Sequence, residues 1–162
     1  MPNLEMRAQI AQLESVTLNF RNLSRSWDLG QEVLYRMPHD QIIGGIEEST
    51  LDALDTLANN FKTCYTSLVN AGYPVGLTPL IWDLENATAR LRAEIARGGL
   101  ESNAGTRHIY DICSEPYNRA FGLFVAIQSL TMVAERDRLR LVRQVKQETE
   151  RERAFTRRIM AN

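Results

Sequence analysis

No stretch of this sequence is apolar for long enough to cross a membrane. The longest, Ala120 to Ala134, has 15 residues and includes Gly122, Gln128, Ser129 and Thr131; a spanning helix needs roughly 20. The opening residues, Met1-Pro2-Asn3-Leu4-Glu5-Met6, lack the cationic start and apolar run of a secretory leader. The expectation is a cytoplasmic protein with no membrane contact.

Cysteine is scarce. Cys64 lies one turn before Leu68 and Cys113 one turn after Ile109, both inside apolar helical patterns, so both read as buried, reduced thiols rather than a disulfide scaffold. The only two histidines, His39 and His108, fall in different connectors, outside any ligand-spaced cluster. The Glu-x-x-His pattern of bundle di-iron sites is missing: Glu32, Glu48 and Glu94 are followed three residues on by Tyr35, Leu51 and Arg97. There is no Gly-x-Gly-x-x-Gly and no Walker loop. No metal, cofactor or catalytic residue is therefore expected, and the chain does not read as an enzyme. An active site would have to be assembled from dispersed residues, with His39, Asp40 and His108 as its titrating members.

Lysine is nearly absent too. Lys62 and Lys146 stand against 17 arginines, which biases any charged contact toward planar, bidentate pairing.

What remains is an ordinary globular composition. The chain has 162 residues, 44% of them apolar and 24% charged, enough for one domain that buries about 70% of its unfolded surface. The net charge of −1 carries no global signature of a nucleic-acid binder.

Apolar residues recur at steps of three and four along most of the chain, the period of an amphipathic helix. The first stripe is Met6, Ile10, Leu13, Val16, Phe20, Leu23 and Trp27. Gly30 suits a cap or bend after it, Val33, Leu34 and Met37 resume the pattern, and Pro38 opens a connector to Gly45. A second helix is expected over about Ile46 to Asn70, striped by Leu51, Leu54, Ala58, Phe61, Tyr65 and Leu68 with Leu57 and Cys64 beside them, and stopped by Asn70-Ala71-Gly72-Tyr73-Pro74. Thr78-Pro79 reads as an N-cap hydroxyl followed by proline at the first helical position. The third helix it opens carries Leu80, Leu84, Ala87, Leu91 and Ile95 and ends at Gly98-Gly99. A short helix around Ile109 and Ile112 precedes a new start at Ser114-Glu115-Pro116. The last helix then runs to about Arg158, on the order of 65 Å.

This last helix has two halves. Ala120 to Ala134 is apolar nearly all round, so it reads as the central helix of the bundle, with Phe121, Val125 and Met132 in the core. Trp27 and Trp82 are expected in the core as well, an interface anchor being the alternative for each. Residues 135–162 hold nine cations and five anions, a net of +4 that leaves −5 for residues 1–134. Local pairs such as Glu148 with Arg151 and Glu150 with Arg153 are available to hold this arm as helix.

The fold expected is all-α: an antiparallel helical bundle body over 1–134, with a charged C-terminal helical arm over 135–162 continuous with the last bundle helix. The expected function is a non-catalytic structural or interaction protein that forms a homo-oligomer or larger assembly through that arm. The alternative is a nucleic-acid-associated accessory protein. The candidate interaction face comprises Arg136, Arg140, Arg143 and Lys146 with Val142, Val145, Phe155 and Ile159.

Overall fold

A computed structural model describes residues 3–43, 48–73, 76–96 and 106–161, with side chains except at 34, 37–43, 48–51, 94–96 and 106–113. It contains four helices: α1 (Asn3–Ile43), α2 (Glu48–Asn70), α3 (Thr78–Ala96) and α4 (Thr106–Ala161). No strand occurs among the described residues.

The helices form a four-membered bundle in which α1 packs on α2 and α4, α3 packs on α2 and α4, and α2 also touches α4 across the middle. Cross-contacts fix the directions. Residues 30 and 9 of α1 lie against Leu57 and Ala71. Lys62 and Asp55 of α2 pair with Glu85 and Arg92 of α3. Trp27 and Phe20 of α1 meet Tyr117 and Phe124 of α4. Each neighbour is antiparallel, as the succession of helices and breaks predicts.

The core is built from the expected stripes. Leu13, Val16, Leu23 and Trp27 of α1 meet Leu54, Leu57, Phe61, Cys64 and Leu68 of α2, Ile81, Leu84 and Leu91 of α3, and Ala120, Leu123 and Ile127 of α4. Burial pushes the Cys64 thiol up to about 12; its thiolate, the reactive form, is suppressed.

The α2 stop is a Schellman cap. Gly72 takes φ of 93°, its N–H reaches the Val69 carbonyl, and the Tyr73 N–H reaches that of Leu68. At the start of α3 the register shifts by one residue. The Ile81 N–H bonds to the Leu77 carbonyl, which makes Leu77 the cap, while the Thr78 hydroxyl donates to Tyr65 at 2.9 Å.

Four expectations are corrected. First, α1 runs unbroken past Gly30 and Pro38 to Ile43. Gly30 is buried against Leu57, so it serves a close helix approach rather than a bend. Second, the expected restart at Ser114-Glu115-Pro116 lies inside α4, which continues from Thr106 for 56 residues, about 84 Å. Pro116 forfeits one backbone hydrogen bond there, but its ring is fully buried. Third, α4 is not enclosed. Only one side of it meets the other helices, and Phe121, Val125 and Met132 are exposed. Fourth, Trp82 is 61% exposed and Leu80 also faces outward, the buried α3 positions being Ile81 and Leu84.

Candidate interaction surface of α4

Positions three and four apart share a face of a helix, and α4 carries two such lines. The inner one is Leu123, Ile127, Leu130, Ala134 and Leu141, at steps of four, three, four and seven, buried or half-buried against the body. The outer one is Phe121, Val125, Gln128, Met132, Arg136, Leu139, Arg143 and Lys146, at steps of four, three, four, four, three, four and three, and every member is exposed.

Both lines continue toward the C-terminus, and they meet different fates. Between 135 and 149 the helix stays tied to the body. Glu135 accepts from Thr17 of α1 at 2.9 Å and from Arg138 at 2.9 and 2.6 Å. Asp137 accepts the Tyr73 hydroxyl at 2.5 Å. Burial and that bond raise the phenol above its ordinary value. Leu141, Val145, Glu148 and Thr149 remain half-buried, and one Glu148 carboxylate oxygen is buried without a hydrogen-bond partner. From Glu150 to Ala161 every residue is exposed. This overhang is about 18 Å long. The inner line nonetheless goes on through it: Leu141, Glu148, Glu152, Phe155, Ile159, at steps of seven, four, three and four. Phe155 is 64% and Ile159 58% exposed.

The eight expected interaction residues therefore fall on two sides of one helix. Arg136, Arg143 and Lys146 lie on the outer line with Arg140 beside it. Val142 is on a flank, Val145 is half-buried, and Phe155 and Ile159 belong to the inner line beyond the body. The pairs Glu148–Arg151 and Glu150–Arg153 do not form. The ion pairs of this region are Arg138–Glu135 and Arg140–Asp137, the latter at 3.6 Å. Arg136, Arg143, Lys146, Arg151, Arg153, Arg157 and Arg158 have no acidic partner among the described residues.

The Arg138 guanidinium and the Thr17 hydroxyl, working against partial burial, hold the Glu135 carboxyl below its usual value. A carboxylate whose folded pKa is depressed adds stability above its unfolded pKa and loses it as pH falls through the folded one. The α1–α4 contact should thus weaken from about pH 4.5, the ordinary value, downward. In Glu135→Gln, stability at pH 7 should drop by on the order of 1 kcal/mol or less, and the acid-side slope of a denaturation series should flatten.

Elsewhere, an open groove of about 510 Å³ runs between α1 and α2, lined by Gln12, Ser15, Asn19, Lys62, Thr63 and Thr66 among others. It offers amides, hydroxyls and one ammonium, which is paired with Glu85. Among the described residues no group of three or more His, Cys, Asp or Glu side chains converges as a metal site would, and no helix is long and apolar enough to cross a membrane. The side chains of His39, Asp40, His108 and Cys113 lie outside the described residues. No protein-family model, no curated protein and no solved structure matches the chain.

Proposed function

We propose that this chain is a non-catalytic assembly subunit, a homo-oligomer joined through α4, working in a reducing compartment such as the cytoplasm, where a free thiol like that of Cys64 persists. One observation carries the reading: the inner face of α4, interrupted by Glu148 and Glu152, turns apolar again at the exposed Phe155 and Ile159, beyond the body. Two large apolar side chains one turn apart on a helix face, with no other helix against them, are a docking point without its second half. Burying each of the two side chains is worth about 1.5–3 kcal/mol. The interleaved charges weigh less, since exposed pairs contribute under about 1 kcal/mol.

The test is solution mass by light scattering or sedimentation. The full chain is expected as more than one copy at micromolar concentration. The double variant Phe155→Gln/Ile159→Gln removes no core contact, so it should stay folded and associate at least tenfold more weakly. A native chain that is monomeric throughout, or a variant that associates unchanged, would sink the reading. The alternative, nucleic acid held along Arg136, Arg143 and Lys146, is favoured by their lack of acidic partners. It would show as co-purifying nucleic acid whose affinity falls steeply with salt.

A further inference from the structure

We infer that the face formed by α1 and the outer line of α4 binds an anionic lipid bilayer, lying on its surface without crossing it. The inference does not depend on the overhang, whose Phe155 and Ile159 belong to the inner line.

Charge on α4 is sorted by side. Between Pro116 and Thr149 the helix has three acids, Glu135, Asp137 and Glu148, and all three are half-buried toward the body. Thr17 and Tyr73 hold the first two there. Of the cations in the same stretch only Arg138 turns in, to pair with Glu135. Arg136, Arg143 and Lys146 stand exposed on the outer line, with no acid on it. Arg140 is exposed beside them, 3.6 Å from Asp137. The far side of the bundle is the opposite, since α2 and α3 hold six acids and three cations. An anionic surface attracts the α1–α4 side and repels the α2–α3 side, which fixes how the bundle lies on it.

The same face holds large apolar side chains in water. Phe121, Val125, Met132 and Leu139 are between 43% and 65% exposed and span about 27 Å of helix. Phe121 also meets Trp27, so this line borders α1. Next to it on α1 runs the exposed line Glu14, Leu18, Arg21, Arg25 and Leu29, at steps of four, three, four and four. The charges of Glu14 and Arg21 act on Arg138 and Glu135 of α4, which places this line at the border of the two helices. It adds two apolar side chains and a net charge of +1. Farther along α1, Asp28 is exposed and Glu32 is paired with Arg36.

The two features together select a bilayer over a nucleic acid. Nucleic acid offers phosphates to cations and ring faces to aromatic side chains, and the aliphatic Val125, Met132 and Leu139 gain little from either. At an anionic bilayer the headgroup phosphates take the guanidinium forks. Apolar side chains of the same helix enter the headgroup and acyl boundary to a depth of about 5–10 Å. Arginine stems lie along that apolar surface and keep their charged heads at the phosphates. Each cation near such a surface adds about fivefold in affinity. Salt weakens that part and leaves the apolar part in place.

Co-sedimentation of the full chain with vesicles tests it. The probes are vesicles of phosphatidylcholine with about one-third phosphatidylglycerol, and vesicles of phosphatidylcholine alone. The chain should bind the first and not the second. Arg136→Gln/Arg143→Gln should weaken binding about tenfold or more. Val125→Gln/Met132→Gln keeps every charge and should weaken it about tenfold or more as well. Both variants alter exposed side chains only, so circular dichroism should show unchanged helix content. No binding to the anionic vesicles overturns the inference. Vesicle binding that Val125→Gln/Met132→Gln leaves unchanged is adsorption by charge alone and overturns it too. An oligonucleotide bound more tightly than the vesicles, lost in Arg136→Gln/Arg143→Gln and kept in Val125→Gln/Met132→Gln, gives the face to nucleic acid instead. Vesicle binding lost in Phe155→Gln/Ile159→Gln and kept in Val125→Gln/Met132→Gln moves the contact to the overhang and overturns the inference.

Discussion

Replacing Trp27 by alanine is expected to cost the fold about 3–5 kcal/mol, the range for deleting a buried large aromatic. Trp27 is 6% exposed and stacks on Phe124 with ring centroids 4.9 Å apart and 11° between planes. Tyr117 and Phe121 sit against it at 6.2 Å, and Phe20 reaches the same Phe124 at 5.7 Å. Five rings from two helices thus close the upper part of the α1–α4 contact. Two terms add: lost transfer energy of the indole, and the cavity left because ring neighbours on rigid helices collapse only in part. Domains of this kind have about 5–15 kcal/mol in total, so Trp27→Ala should lose about a fifth of it or more. Urea denaturation followed by circular dichroism measures this. A cost under about 1 kcal/mol would mean the stack contributes little. Trp82, 61% exposed, is the internal control, since its removal should leave stability within about 0.5 kcal/mol.

Gly30→Leu is the second large effect. A Cβ added at Gly30 would stand 3.0 Å from Cδ2 of Leu57 and 3.7 Å from its Cγ. Leu57 is itself fully buried. An alanine asks only a shift of a few tenths of an ångström from one methyl group, and it gains up to about 1 kcal/mol of helix propensity; Gly30→Ala should fall within about 1 kcal/mol of the parent. Leucine adds three more carbons where α2 already lies. It must push the helices apart and strain the Asn60–Ser26 hydrogen bond, a cost at the upper end of the roughly 1–3 kcal/mol of overpacking. The pair of denaturation midpoints separates conformational freedom from space: if both variants gain stability alike, propensity rather than contact governs this glycine.

The helices themselves were legible because burial follows period. Leu13, Val16, Leu23 and Trp27, or Leu54, Phe61 and Leu68, repeat at spacings that only a helix puts on one side, and all are buried. The breaks were less so. Gly30 and Pro116 have the chemistry of helix ends, yet each is buried inside a helix, where packing outweighs a local preference of about 1–3 kcal/mol. The outer line of α4 was hidden for another reason. A helix apolar on every side suits a central position or one with two working faces, and residue types are the same in both. What decides is the packing: α4 has neighbours on one side only, so Phe121 and Met132 face outward. Trp82 shows the same ambiguity at a single position. The basic stretch after Ala134 was visible as composition. Its division into a tied portion and an overhang depended on where α1 begins beside it, a tertiary fact.

The pairing of α1 with α4 also orders events in time. The rings that enclose Trp27 belong to residues 117, 121 and 124, some ninety positions later in the chain. As the chain emerges, α1 can dock on α2 through the Gly30–Leu57 approach long before α4 exists. Until the fourth helix arrives, the side of α1 that carries Trp27 and Phe20 has no ring partner. Contacts so distant in sequence form slowly, because the intervening loop has to be closed before they repay its entropy. A chain without α4 would leave Trp27 uncovered, the kind of apolar exposure that invites aggregation, and the Tyr117–Phe124 segment closes it.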